Sequence, residues 1–173
     1  GYGPRVVARE PLSLSDLEGA LVALPGQKTT ATLVARALLP AFEEVHMDFS
    51  EIMAAVVQGR ADAGVVIHEG QLTYPELGLH LVTDLGRLFS ERNQQLPLPL
   101  GVNCVKRNIP QLLKRSIASA YRASIIIAMT QRPEAVAYAL PYGRGLSFEL
   151  ANRFVGMYVN EDSLSFHEEL RRE

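Results

Sequence analysis

Residues 65–74 read V-V-I-H-E-G-Q-L-T-Y, an apolar run that reaches His68 and Glu69 before Gly70 can bend the chain. A strand that ends for structural reasons alone usually stops at Gly, Asn, Asp or Pro. Open α/β sheets carry their ligand-binding and catalytic groups at such strand ends. Imidazole is the side chain best matched to proton transfer near neutral pH, which makes His68 a candidate general base. Glu69 would then orient it or bind a substrate hydroxyl. The plainer reading is a histidine satisfied by backbone groups at a strand end.

A second candidate is the stretch Gly26-Gln27-Lys28-Thr29-Thr30-Ala31, which joins a strand pattern to a helix pattern. The first amides of a helix have no partner within it and lie at the positive end of its dipole, so this join suits an anion. The hydroxyls of Thr29 and Thr30 add donors. The spacing is not the phosphate-binding G-x-x-x-x-G-K-[ST], and a carboxylate fits better than a triphosphate. The alternative is that Thr29 or Thr30 only caps the helix.

Other residues carry weaker signals. Thr73 and Tyr74 either line a pocket or pack the turn, and Asn103 stands in the same position on a later extended segment. His46, His80 and His167 share no ligand spacing with His68, and the single cysteine, Cys104, excludes a cysteine-based zinc site. No metal is expected. Ser50 lacks the G-x-S-x-G context of a serine hydrolase.

The elements that must position these groups alternate strand and helix. Arg5 to Arg9 and Leu21 to Leu24 read as strands, the second broken by Pro25-Gly26. A helix follows from Thr30, with Leu33, Ala37, Leu38 and Phe42 at helical spacing. Val45 to Phe49 is strand-like, Ser50 is an N-cap candidate, and Ile52, Met53, Val56 and Val57 face inward from the next helix. Gly59 suits its C-terminal end. Ala63 to Ile67 is a buried strand, Leu79 to Leu85 another, and a polar helix lies near Arg87 to Gln94. Leu96 to Val105 is extended, because proline restricts the residue before it. After Pro110 the pattern is helical only: Gln111 to Thr130, a helix from Pro133, and Ser147 to Val159. Leu112, Ile117, Tyr121 and Ile125 make an apolar face that the visible strands cannot cover.

Composition narrows the function classes. The 173 residues are 47% hydrophobic and 21% charged, enough for one compact domain or two small lobes. Net charge is −2 with lysine and arginine scattered, so no basic stripe suggests nucleic acid. No apolar run reaches membrane-spanning length, so no membrane insertion is expected. A lone cysteine suits a reducing cytosol.

The motifs L-E-G-x-x-V-A-L-P-G and L-P-L-G resemble the second lobe of the type II periplasmic-binding-protein fold. P-G-x-x-T-T-A, D-A-G-V-V-I-H-E-G-Q-L-T-Y and R-F-V-G-M-Y-V-N-E are more specific, and together resemble the 1,4-dihydroxy-6-naphthoate synthases of the futalosine route to menaquinone. The resemblance runs over essentially the whole chain. It implies an α/β fold of two lobes with a ligand cleft between them, the first lobe incomplete in this chain. Residues 1–12 would be a crossover strand, 13–97 the second lobe, 98–107 a returning crossover strand and 108–173 C-terminal helices of the first lobe. The implied activity is a cytoplasmic, cofactor-independent carbon–carbon lyase that converts cyclic dehypoxanthinyl futalosine to 1,4-dihydroxy-6-naphthoate, an aromatic carboxylate chemistry. The family's essential histidine falls on His68, and its ligand-contacting Thr-Ala pair on Thr30 and Ala31. Substrate contacts are expected from Thr29, Thr30, Ala31, Glu69 and Asn103. Further contacts would come from an absent N-terminal segment, and either that segment or a second copy in a homodimer would cover the apolar helix face. A non-catalytic solute-binding protein and chorismate dehydratase share the fold and are the competing readings.

Overall fold

The computed structural model describes residues 3–164, and it divides into two compact units, Gly1–Leu100 and Gly101–Glu173. His167 lies outside the described residues.

The first unit is built on five strands: β1 (Arg5–Ala8), β2 (Leu21–Leu24), β3 (Glu43–His46), β4 (Ala63–Val66) and β5 (His80–Asp84). Their order in the sheet is β3-β2-β4-β1-β5. β2 runs parallel to β3 and to β4, whereas β1 runs antiparallel to both β4 and β5. Side chains alternate between the two faces of each strand, and apolar residues point both ways because helices cover both faces. Val6, Ala8, Val22, Leu24, Ala63 and Val65 point to one face. There α1 (Thr30–Leu38) supplies Ala31, Val34 and Ala35, and α4 (Leu85–Arg92) supplies Leu85 and Leu88. Val7, Ala23 and Val66 point to the other face, under Ile52 and Val56 of α2 (Ile52–Val57). The central strand β4 is buried along its whole length.

Several elements differ from the sequence reading. In α1, Leu33 and Ala37 are exposed, and the buried residues are Ala31, Thr32, Val34 and Ala35, with Leu39 buried at the C-cap. β3 begins two residues earlier than expected and stops at His46. Asp48 ends it: its carboxylate accepts from the Ser50 amide at 2.9 Å and the Ser50 hydroxyl at 2.5 Å. Ser50 is thus held in an Asx turn and does not cap α2, whose N-cap is Glu51. Gly59, at φ +73°, closes α2 as expected: its amide meets the Val56 carbonyl and the Arg60 amide meets Ala55, a Schellman motif. α4 starts two residues before the expected Arg87, because Asp84 caps it through the Gly86 and Arg87 amides. The stretch 96–105 has no regular secondary structure, and Leu98 alone in it is buried.

The second unit is helical among its described residues: α5 (Gln111–Thr130), α6 (Arg132–Ala139) and α7 (Phe148–Tyr158). Ser147 caps α7 through the Leu150 amide, and Arg132 joins α6 to α7 through the Asn152 side chain and carbonyl. Ile125, Val136, Ala151 and Met157 are its buried apolar residues. The rest of the expected α5 face is open, with Leu112 79%, Ile117 37% and Tyr121 50% exposed.

Candidate active site

Strand direction decides which groups meet. Leu24 of β2 lies beside His46 of β3, and β2 and β4 run the same way, so the three strands finish on one sheet edge. Because β1 runs against β4 and β5, its first residue, Arg5, faces Val66 and Asp84 at that same edge. The edge therefore carries the β2–α1 loop, the β3–α2 loop, the His68 turn, Arg5 and Asp84. This is the carboxyl end of the parallel strands, the usual ligand side of an open α/β sheet.

The shape of the β2–α1 loop is set by local contacts. Pro25 breaks β2, and Gly26 turns at φ +128°, a backbone state that an L side chain rarely adopts. The Gly26 carbonyl then gathers the Thr29 hydroxyl at 2.9 Å, the Thr32 hydroxyl at 2.7 Å and the Thr29 amide at 3.3 Å. Thr29 is the N-cap of α1 and accepts from the Thr32 amide at 3.2 Å. Of the two threonines the sequence singled out, Thr29 is thus committed to capping. The hydroxyl of Thr30 donates to the Leu100 carbonyl at 3.3 Å. Among the described residues no acceptor meets the backbone amides of Thr30 and Ala31. Two amides at the positive end of a nine-residue helix remain able to bind an anion.

His68 follows β4 after one residue and is exposed. Its φ is +53°, a left-handed conformation that costs a residue other than glycine about 1–2 kcal/mol. The left-handed residue turns the chain straight into a short helix, α3 (Gly70–Thr73), where the sequence suggested only a glycine turn. The Gln71 amide closes back on the His68 carbonyl at 3.2 Å, and the Glu69 carbonyl takes the Leu72 and Thr73 amides. The imidazole lies against Phe49, with ring centroids 4.8 Å apart and planes inclined at 54°. The backbone of His68 thus lies in the left-handed region while its imidazole is exposed at a strand end.

Neighbouring residues divide by role. Thr73 bonds back to the Glu69 carbonyl at 3.3 Å, and Tyr74 packs on the core beneath the Arg5 guanidinium, so both serve the turn. His46 shares the sheet edge, its Nε2 3.1 Å from Glu44; Glu44 is held down to about 2 by its two-pronged pair with Arg36, burial opposing and His46 adding. His80 pairs with Ala8 at the opposite edge. Asn103 belongs to the second unit, where its amide donates to the Tyr121 hydroxyl at 2.6 Å. Among the described residues no three His, Cys, Asp or Glu side chains could hold a metal together, and no helix is long and apolar enough to cross a membrane. Arg5, Phe49 and Asp84 went unnoticed in the sequence. Arg5 had one weak signal, a charge opening the otherwise apolar strand R-V-V-A; Phe49 had none, because its contact spans 19 residues of chain.

Comparison with known proteins adds an independent line. A family profile described as menaquinone biosynthesis matches residues 1–172. A 1,4-dihydroxy-6-naphtoate synthase of Thermus thermophilus is 40% identical over 172 residues, covering 99% of this chain and 62% of that protein. A crystal structure of an Archaeoglobus fulgidus protein superposes with TM-score 0.92 at 42% identity, covering 99% of this chain and 63% of that one. The periplasmic aliphatic sulphonate binding protein of Escherichia coli matches with TM-score 0.60 at 15% identity, over 88% of this chain and 51% of its own. That likeness shows the type II periplasmic-binding-protein fold. The chain spans less than two thirds of the length of each of these relatives.

Proposed function

Because the chain belongs to the menaquinone-biosynthesis family, we propose that it forms the histidine-bearing part of a 1,4-dihydroxy-6-naphthoate synthase. The reaction is the cleavage of cyclic dehypoxanthinyl futalosine to 1,4-dihydroxy-6-naphthoate in the cytoplasm, a carbon–carbon lyase step without metal or organic cofactor. His68 acts as the base, and Thr30 and Ala31 present their amides to the substrate carboxylate. One observation carries this reading: parallel neighbours β2 and β4 bring an unfilled helix start and a strained, exposed histidine to one sheet edge. Glu69 and Asn103 are proposed as further substrate contacts. Incubating the intact protein with cyclic dehypoxanthinyl futalosine and following naphthoate absorbance tests the assignment. Tight binding without product would favour a solute-binding protein, and dehydration of chorismate instead would favour chorismate dehydratase.

The anion half of the site is tested separately. Thr30→Ala leaves both backbone amides but removes the hydroxyl that fixes the loop to Leu100, so substrate binding should weaken by about 1 kcal/mol, the worth of one hydrogen bond. Isothermal titration with product would show this as a roughly fivefold rise in Kd. An unchanged Kd would mean that the Thr30 hydroxyl and its bond to Leu100 contribute nothing to binding.

We further propose that α5–α7 are helices of the other lobe, and that the polypeptide beyond the matched part of the relatives covers their apolar face. Leu112 at 79% exposure and Tyr121 at 50% support this, since each such side chain gains about 1.5–3 kcal/mol on burial. In a Cys104→Ser background, Leu112→Cys should react slowly with a maleimide in the intact protein and quickly in the 173-residue chain. Equal, fast labelling in both would overturn the assignment. Slow labelling of the short chain that grows with concentration would identify a second copy as the cover instead.

A further inference from the structure

Resting on the reading of His68 as the base, we infer that Arg5 is a positioning residue that holds the His68 turn in its working conformation. Three contacts define its place. Arg5 Nη1 donates to the Gln71 carbonyl at 2.5 Å, Nε lies 3.5 Å from Asp84 Oδ2, and the guanidinium carbon stands 5.9 Å from the centre of the Tyr74 ring. The Asp84 contact is an ion pair and not a hydrogen bond, because Nε is buried without a hydrogen-bond partner.

Each contact has a mechanical consequence. Asp84 is held in place by its other oxygen, which caps α4 by accepting from the Gly86 and Arg87 amides. Arg5 is therefore anchored to a fixed carboxylate at one end and reaches α3 with the other. α3 is a four-residue helix, too short to persist on its own, and its C-terminal carbonyls are the negative end of its dipole. A guanidinium on the Gln71 carbonyl stabilises that end. The Gln71 amide in turn bonds to the His68 carbonyl at 3.2 Å. The contacts run from Asp84 through Arg5 and Gln71 to the carbonyl of His68, whose left-handed φ of +53° is locally unfavourable and is favoured by that restraint. Tyr74, which ends the same turn, lies under the guanidinium and adds a cation–π contact on that side.

Double-mutant kinetics on the intact protein tests the inference, with Arg5→Met, Arg5→Lys, His68→Asn and the pair Arg5→Met/His68→Asn. Arg5→Met should lower kcat by roughly 10- to 100-fold with KM nearly unchanged, the loss expected when a reacting group is misplaced by about 1 Å. Arg5→Lys, which keeps the charge but cannot fork between Asp84 and Gln71, should recover part of it. In the His68→Asn background the Arg5→Met effect should vanish, because nothing remains to be positioned. Amide exchange at residues 70–73 should quicken in Arg5→Met while the strands keep their protection. A rise in KM with kcat intact would make Arg5 a direct substrate contact and overturn the inference. An effect that persists in the His68→Asn background, or that tracks a fall in Tm, would make it merely structural. If His68→Asn alone keeps near-normal turnover, the reading of the base fails. If His68→Asn is inactive while Arg5→Met is normal, only the positioning role fails.

Discussion

Replacing His68 with asparagine should leave the chain folded and lower turnover by roughly two to four orders of magnitude, the usual contribution of a positioned base. Asparagine is the informative replacement because it tolerates the left-handed region that His68 occupies at φ +53°. The turn into α3 is then kept, the Gln71 amide still finds the carbonyl of residue 68, and only the imidazole is lost. The exposed position of His68 makes the loss of packing small, limited to its contact with Phe49. Thermal unfolding measured beside the assay separates the two effects: Tm should hold while product formation falls. Turnover within a few fold of the parent protein would end the proposal that His68 is the base.

Gly64→Ala should destabilise the first unit by about 1–3 kcal/mol, the range seen when an extra methyl group is forced into a packed core. Elsewhere in a strand the change from glycine to alanine would help, by roughly 0.5–1 kcal/mol of backbone entropy. Here the added Cβ would stand 2.5 Å from Ile52 Cγ2 and 2.9 Å from Val56 Cγ2. Both are branches on β-branched side chains in α2, held in a helix that leaves them few rotamers. α2 must therefore lift from the sheet, and β4 cannot yield because it is buried between β2 and β1. The displacement reaches function as well, since β4 leads directly to His68. Denaturant unfolding should show an earlier midpoint. An unchanged midpoint would mean that α2 slides freely on the sheet, against the packing described here.

Much of this arrangement was legible from residue types alone. The strands Leu21–Leu24 and Ala63–Val66, the helix Gln111–Thr130 and the glycine end of α2 at Gly59 follow from local signals: apolar runs, helical periodicity, and a residue suited to positive φ. The two chemical motifs were equally local, because a helix start and a histidine at a strand end are each written within a few residues. Their family resemblance came from the same short stretches. The tertiary structure alone decided how these pieces relate. Whether α1 buries Leu33 or Val34 depends on how closely the helix lies on the sheet, and periodicity cannot measure that distance. That β2 and β4 are parallel neighbours, with β1 antiparallel on the far side of β4, is a matter of strand pairing across 40 or more residues. Local sequence carries little information on such pairings, because one buried apolar strand can pair as well as another. That pairing brings Arg5 from the first strand to Asp84 and Gln71, and so to the turn that holds His68. The sequence named the groups able to do chemistry; the order and direction of the strands decided which of them stand at one edge.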